Sequence, residues 1–144
     1  KSGLKVDWRA EDASSQPEFA IFFSVEIADT PAGLTEKLSR FTTTLKDRHG
    51  LLPTLNGGIP FAFIHGNWAL DNSRGDGRWC GIDNELIVLR EAGCYADFTL
   101  PSAPSDTQTR TINAIYYAED DPHRPKSHDA GIEMKVGGQS SGDL

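Results

Sequence analysis

The stretch DTPAGLTEKLSRFTTTLKDRHG, residues 29–50, carries the strongest helix pattern in the chain. Its apolar residues Leu34, Leu38, Phe41 and Leu45 are spaced four, three and four apart, which places them in one stripe along an α-helix. Because a single apolar stripe has to be covered by another layer of the protein, the helix must pack against the rest of the chain on that side. The stretch therefore predicts an amphipathic helix at the surface of a layered domain.

Both ends of this helix carry local boundary signals. Asp29 or Thr30 can act as the N-cap, and Pro31 suits the first turn because its missing N–H is not needed there. At the other end, basic side chains complement the helix dipole, and Gly50 supplies the residue that ends many helices in a left-handed conformation. The helix is thus bounded by its own local chemistry.

Strand patterns lie on both sides of the helix. EFAIFFSVEI (residues 18–27) precedes it and IPFAFIHG (59–66) follows it, and both are rich in Phe and Ile. Later in the chain we predict a second helix over residues 83–91, strands over 94–100 and 112–118, and a short last strand over 132–136. The β-α-β-α-β-β order favours an α/β fold with a mostly parallel sheet, either a small open sheet or part of a barrel.

The composition is that of a single domain of ordinary size. We expect one α/β domain or fragment over residues 1–144, with 1–17 and 137–144 loosely ordered because they are polar and poor in aliphatic side chains. The net charge of −7 argues against a nucleic-acid surface. No apolar run approaches the roughly 20 residues of a membrane span, and we identify no signal peptide. We therefore expect neither nucleic acid nor a membrane as a partner.

Two cysteines, Cys80 and Cys94, flank the second predicted helix. That helix is about 13 Å long, whereas a disulfide needs Cα atoms within roughly 7 Å of each other. We therefore interpret both residues as thiols, which is compatible with a reducing cytosol and a cytoplasmic location.

Three polar segments begin where predicted strands end: residues 65–78, 97–105 and 118–129. In parallel α/β folds, the loops at the carboxyl ends of the strands converge on one edge of the sheet, and binding groups collect there. We therefore expect the three segments to meet and to line a cleft. The polar side chains of these segments would then be the groups of the cleft that contact a ligand or react with it.

Within the first segment, His65 is either a hydrogen-bonded scaffold residue or a chemical group of the cleft. Asn67 and Asp71 are good loop formers that bond their own backbone, or alternatively they face a ligand. Trp68 and Trp79 either pack the long loop onto the sheet or stack on sugar rings. The side chains in this segment therefore have both a structural and a functional interpretation.

The third segment contains His123, His128 and Asp129, which are ligand types that Zn²⁺ and similar ions accept. In the second segment, Asp97 lies on a strand and points either to solvent or into the cleft. The sequence contains no G-x-S-x-G, P-loop, G-x-G-x-x-G, H-E-x-x-H or C-x-x-C motif. From residue patterns alone, the chain is an α/β domain with a polar cleft built from loops.

Three stretches of the sequence resemble a known group. FIHGNWALDNS, RWCGIDNELIVLREAGCYADFTLPSAPSDTQTRTINAIYYA and DDPHRPKSHDAG are similar to uncharacterised bacterial proteins that are often encoded near polysaccharide-synthesis genes. Those proteins in turn resemble the polysaccharide deacetylase (NodB-homology) superfamily. The resemblance covers roughly residues 29–137.

The resemblance implies an incomplete (β/α) barrel and metal-assisted hydrolysis of acetyl groups on an amino sugar, with carbohydrate as the partner. A divalent metal, often zinc, would polarise the amide carbonyl and lower the pKa of the attacking water. His65 stands where the superfamily has its histidine motif, and Asp97 and Ser102 would lie beside the substrate groove. The superfamily's paired-aspartate motif is absent, and position 69, where its second histidine is expected, is Ala69.

Three hypotheses follow: a deacetylase-like enzyme, a non-catalytic carbohydrate-binding or scaffold domain, and polar loops that are wholly structural. The second would use Trp68, Trp79, Tyr95 and Tyr117 for stacking. For the first, the predicted catalytic residues are His65, Asp71 and Asp97, the substrate-binding residues are Asn67, Trp68, Trp79 and Ser102, and the ligands of a divalent metal such as zinc are His65, His123, His128 and Asp129.

Overall fold

A computed structural model describes residues 20–23, 30–79 and 81–144 of the chain, with side chains for 30–79 and 81–144. The predicted loose segment 1–17, the alternative cap Asp29 and the thiol prediction for Cys80 lie outside the described residues. The predicted first strand over residues 18–27 is described only in part.

Three strands form a parallel sheet in the order β1-β2-β3. They are β1 (Ala20–Phe23), β2 (Phe61–His65) and β3 (Cys94–Asp97). In register, Phe23 lies beside His65, and Phe63 lies beside Asp97. The prediction of a parallel sheet is confirmed for these three strands, and its register brings His65 and Asp97 to the same, carboxyl edge.

The helices α1 (Pro31–His49) and α2 (Glu85–Glu91) connect these strands. Thr30 is the N-cap of α1, because its hydroxyl accepts a hydrogen bond of 3.1 Å from the Gly33 N–H. Gly50 ends α1 in the left-handed conformation with φ 64°, a backbone geometry that glycine adopts at little cost. Both predicted boundaries of α1 are confirmed.

The core lies between the sheet and the two helices. Phe61 and Phe63 of β2 are buried, and so is the predicted stripe of α1 except for Phe41, which is partly buried against the core. The α2 residues Leu86, Val88 and Leu89 pack into the same cluster. No helix in the described part of the chain is long and apolar enough to cross a membrane.

The last two strands leave the parallel sheet. β4 (Tyr116–Ala118) and β5 (Gly131–Glu133) form a separate antiparallel pair in which Ala118 lies beside Gly131. A parallel return to the sheet needs a crossover, usually a helix, and residues 98–115 contain neither helix nor strand. The α/β prediction and the element order are confirmed at this coarse level, whereas the barrel is not confirmed.

Gly131 is required at the β4–β5 contact. A Cβ atom at this position would lie 2.3 Å from the Tyr117 carbonyl oxygen, which is far closer than two such atoms can approach. The missing side chain therefore lets the first residue of β5 pack tightly against β4.

Candidate functional site

A group of buried polar side chains lies at the carboxyl edge of the sheet. We call it the acid–histidine cluster and define it by His65, Asp71, Glu85, Ser127 and His128. His65 ends β2 and Glu85 begins α2, while Asp71 and the Ser127–His128 pair lie in the two short 3₁₀ helices Leu70–Asn72 and Ser127–Asp129. Every member is at most 1% exposed, so these are interior groups that normally need partners.

Asp71 holds the second 3₁₀ helix against the first. Its Oδ2 atom accepts hydrogen bonds from the Ser127 hydroxyl (2.9 Å), the His128 N–H (3.2 Å) and the His128 Nδ1 (3.1 Å). Its carbonyl oxygen accepts another from the Lys126 N–H at 2.7 Å. Asp71 is left-handed, with φ 53°, which aspartate tolerates better than most residues. One residue therefore docks two segments that lie far apart in sequence.

The contact with Asp71 fixes the tautomer of His128. Because an ionised carboxylate only accepts hydrogen bonds, Nδ1 carries the proton and Nε2 keeps its lone pair. This Nε2 atom is buried and has no hydrogen-bond partner among the described residues. His128 thus presents a basic nitrogen to the interior, oriented by a carboxylate on the opposite side of its ring.

His65 has the opposite tautomer. Its Nδ1 accepts a hydrogen bond of 3.3 Å from the Asn67 N–H, so the proton of the neutral ring lies on Nε2. That Nε2 atom is 3.7 Å from Glu85 Oε1, too far for a direct hydrogen bond. The other oxygen of Glu85, Oε2, accepts a bond of 2.8 Å from the Asp71 N–H. His65 Nε2 and Glu85 Oε1 therefore lie close together, and both are buried without a hydrogen-bond partner among the described residues.

Burial sets the charge state of this pair. It lowers the pKa of His65 from 6.5 to about 4, which keeps the ring neutral near pH 7. Burial raises the pKa of Glu85 well above its ordinary value, and the negative charges of Asp97, Asp71 and Asp120 raise it further, against the hydrogen bond from the Asp71 N–H. The neutral, protonated carboxyl of Glu85 is favoured.

Asp97 and Asp120 lie at the margin of the cluster. Burial raises the pKa of Asp97 to about 6, against hydrogen bonds from the Thr99 N–H and hydroxyl. The Thr99 hydroxyl oxygen also accepts from the His65 N–H at 2.8 Å, so Asp97 helps to position His65. Asp120 accepts from the Ile87 N–H of α2 and from the Ser127 hydroxyl, and burial raises its pKa.

We predict that His65 makes folding stability depend on pH. Its folded pKa of about 4 lies below the ordinary 6.5, so the unfolded chain binds more protons between these values and stability falls as the pH falls through them. From pH 7 to pH 5, the free energy of unfolding of the native chain should fall by about 2 kcal/mol more than that of His65→Asn. Asparagine is chosen because its side-chain oxygen can still accept the Asn67 N–H.

Urea denaturation of both proteins at the two pH values measures this difference. Working with the difference between the two proteins cancels the contributions of other titrating groups that do not interact with His65. Parallel pH profiles for the two proteins would contradict a buried, neutral His65.

Of the four predicted metal ligands, His65 and His128 belong to the acid–histidine cluster, whereas His123 and Asp129 do not. His123 is exposed, and the Asp129 carboxylate accepts from the Arg110 N–H at 2.9 Å and pairs with its guanidinium at 3.3 Å. The proton on His65 Nε2 also occupies the position that a metal would need on that nitrogen. Across residues 30–79 and 81–144, no group of three or more His, Cys, Asp or Glu side chains could hold a metal ion. The divalent metal stays a prediction of the resemblance.

The predicted substrate-binding residues have different environments. Trp68 is half exposed, three residues after His65. Trp79 has two guanidinium groups near its ring, with Arg74 at 4.8 Å and Arg78 at 5.1 Å from the ring centre. Ser102 is buried, and its hydroxyl accepts from Thr107 at 2.9 Å. Trp79 and Ser102 therefore have structural contacts in their loops, and Trp68 remains the better candidate for contact with a ligand.

The sequence analysis named His65, Asp71 and His128, which the fold brings into one cluster, but it missed Glu85 and Ser127. A signal for Glu85 was present: it lies three and four residues before the buried Val88 and Leu89, and so on the apolar face of α2. A carboxylate is rarely buried on such a face without a specific partner or role, because removing it from water costs free energy. Ser127 has no comparable signal in the sequence.

Comparison with known proteins gives no match. No protein-family model matches the chain, and neither a curated protein nor a solved structure matches it. The cluster geometry and the sequence resemblance are thus what remains to support a function.

Proposed function

We propose that the chain is a deacetylase-like, carbohydrate-active domain that hydrolyses acetyl groups on a polysaccharide, with the acid–histidine cluster as its catalytic centre. One observation supports this most strongly: the two buried histidines have opposite tautomers. His128 Nε2 offers a lone pair, and His65 Nε2 offers an N–H beside the neutral carboxyl of Glu85. A base and a pair of hydrogen-bond donors are the groups that acyl-group hydrolysis requires.

His128 is the proposed general base. Its Nε2 would take a proton from a water molecule as that water attacks the acetyl carbonyl carbon. Asp71, 3.1 Å from Nδ1, would stabilise the imidazolium that forms and keep the ring oriented. The proton then passes from His128 to the leaving oxygen or nitrogen of the sugar, and acetic acid is released, which loses its remaining proton to the solvent. Atoms and charge balance without another reactant.

His65 and Glu85 are the proposed electrophilic groups. The 3.7 Å distance between His65 Nε2 and Glu85 Oε1 is short enough for both to donate hydrogen bonds to one shared oxygen atom. The acetyl carbonyl oxygen gains negative charge in the transition state, so two fixed donors in a dry site stabilise it strongly. A carboxyl group kept neutral by an apolar site can serve as such a donor.

The carbohydrate part of the proposal rests on the sequence resemblance and on Trp68. The half-exposed indole follows the β2 end that carries His65, where it could stack on a sugar ring next to the reacting group. Within residues 30–79 and 81–144 no three or more His, Cys, Asp or Glu side chains could hold a metal ion, and no step of this mechanism is routed through a metal.

The proposed mechanism is tested by the pH dependence of acetate release from an acetylated chito-oligosaccharide. Because Glu85 acts in its protonated form, activity should fall as the pH rises through the raised pKa of Glu85. Glu85→Gln should keep activity within about tenfold, since the amide still donates a hydrogen bond, and should no longer lose activity as the pH rises through the pKa of Glu85, because it cannot ionise.

Two outcomes would contradict the proposal. A Glu85→Gln protein that folds but is inactive at every pH would mean that Glu85 acts as a base. A folded native chain that binds the oligosaccharide but releases no acetate at any pH would favour the non-catalytic, carbohydrate-binding alternative.

A further inference from the structure

Large apolar side chains are exposed on one face of the β4–β5 pair. In register, Tyr117 lies beside Ile132. The Met134 N–H donates to the Ile115 carbonyl at 2.8 Å, which continues the pairing by one residue on each strand, so these four side chains share a face. Ile115 is 73% exposed, Ile132 54% and Met134 44%. The opposite face is anchored to the protein, because Tyr116 packs against the core.

The strand β5 also has a free edge. The Ala130 carbonyl and the Met134 N–H both bond to the β4 side of the pair, so the even-numbered residues point their backbone groups at β4. Gly131 and Glu133 therefore point theirs the other way. Within residues 30–79 and 81–144, no hydrogen bond is made to these outward groups, and residues 131–140 are all exposed. We call this row of backbone groups the β5 edge.

An open strand edge is a template for pairing with another strand. Two antiparallel strands alone are marginally stable, and further strands stabilise the sheet that they join. The chain carries a net charge of −7, which opposes the approach of a second copy in general. A second copy therefore needs charges at the edge itself that attract each other.

The charges next to the β5 edge are self-complementary. Glu133 and Lys135 are exposed, have opposite charges and lie two residues apart on the same face of the strand. When two copies of β5 pair antiparallel about a two-fold axis at Met134, Glu133 of each copy lies opposite Lys135 of the other. Moving the axis to Glu133 would instead place two glutamates opposite each other, which is unfavourable.

The same register satisfies the backbone. With the axis at Met134, the outward groups of Glu133 in one copy meet those of Lys135 in the other, as an antiparallel ladder requires. The chain turns after Lys135, whose carbonyl accepts from the Gly138 N–H at 2.9 Å. A carbonyl oxygen has a second lone pair, so this turn leaves one acceptor site for the ladder.

We propose that the β5 edge is an interface for a second copy of this chain. The two β5 strands would join antiparallel, and the two pairs would form one four-stranded sheet. The contact uses the same patch on both copies, as a two-fold dimer does. Met134 of one copy meets Met134 of the other, and Ile132 lies beside Val136, so exposed apolar side chains gain partners. The interface is independent of the proposed hydrolysis, because it uses none of the five cluster residues.

The test is sedimentation equilibrium of the full chain. Two strands of about five residues bury less than the roughly 1,200–2,000 Å² of stable interfaces, so we expect a weak dimer with a Kd of about 100 μM. Concentrations from about 10 μM to about 1 mM bracket this value. Glu133→Lys should weaken the dimer about tenfold or more, because two ion pairs become two like-charge contacts.

The double variant Glu133→Lys, Lys135→Glu restores opposite charges across the axis, and its Kd should return to within about threefold of the native value. Glu36→Lys is the matched control, because Glu36 is an exposed carboxylate on α1 and the charge change is the same. Since both single substitutions reduce the net repulsion between copies, only a specific contact makes Glu133→Lys the weaker dimer.

Three results would overturn the proposal. The first is a native chain that stays monomeric over the whole concentration range. The second is a Glu133→Lys protein that dimerises as well as Glu36→Lys, which would place the contact on another surface. The third is a double variant that is folded by circular dichroism but does not recover the dimer, which would contradict the register centred on Met134.

Discussion

Asp71→Ala is expected to lower the free energy of unfolding by about 3–5 kcal/mol, because it leaves buried donors of Ser127 and His128 without an acceptor, each at a cost of about 1–3 kcal/mol. The Oδ2 atom of Asp71 accepts hydrogen bonds from the Ser127 hydroxyl and from two nitrogens of His128. All three side chains are at most 1% exposed, so water cannot replace the lost acceptor. Alanine also fits the left-handed backbone at φ 53° poorly.

Two further variants separate these causes. In Asp71→Asn, asparagine tolerates the left-handed backbone and keeps one acceptor oxygen. This variant should therefore lower the free energy of unfolding clearly less than Asp71→Ala does. Asp76→Ala is the matched control, because the Asp76 carboxylate also accepts several bonds, from Arg74 and Arg78, but it lies on an exposed loop. Asp76→Ala should lower the free energy of unfolding by far less than Asp71→Ala. Urea denaturation of all three variants measures the differences, and equal losses for Asp71→Ala and Asp76→Ala would contradict the buried network.

The elements that could be predicted from sequence are those whose signals are local. The helix α1 carries its apolar period, its N-cap Thr30 and its terminal Gly50 within one stretch, and each is found in the structure. The strand prediction over residues 112–118 was too long, since only Tyr116–Ala118 pairs. Ile112 and Ile115 lie exposed before it, so an apolar run alone did not show which of its residues would find a partner strand.

The sequence was sufficient to predict several residues of the site, but not which of them contact each other. Convergence at the carboxyl edge of a parallel sheet was enough to name His65 and Asp71, because it depends only on strand order. The contact of Asp71 with His128 spans 57 residues and depends on the left-handed turn at Asp71, which no periodic pattern encodes. The same limit applies to the metal prediction: residue types suggest ligands, but side-chain directions are not available from sequence.

His128→Asn is expected to lower the rate of acetate release by about 10²–10⁴-fold, the usual contribution of a general base. The asparagine amide lies near the position of Nδ1 and can still donate to Asp71, while the group at Nε2 is lost. The backbone N–H of residue 128 also keeps its bond to Asp71. The change therefore removes the proposed base and leaves most of the docking of this segment in place, which circular dichroism and a urea titration would verify.

His123→Asn gives the decisive comparison, because His123 lies five residues from His128 in the same loop and is exposed. If the acid–histidine cluster alone carries the reaction, this variant keeps the native rate, since the side chain touches none of the reacting groups. If the metal-ligand set implied by the resemblance carries it, His123→Asn loses activity together with His128→Asn, and added zinc restores part of it. A His128→Asn protein that is folded and fully active would show that the buried Nε2 lone pair has no chemical role, and that Asp71 and His128 form a purely structural clamp.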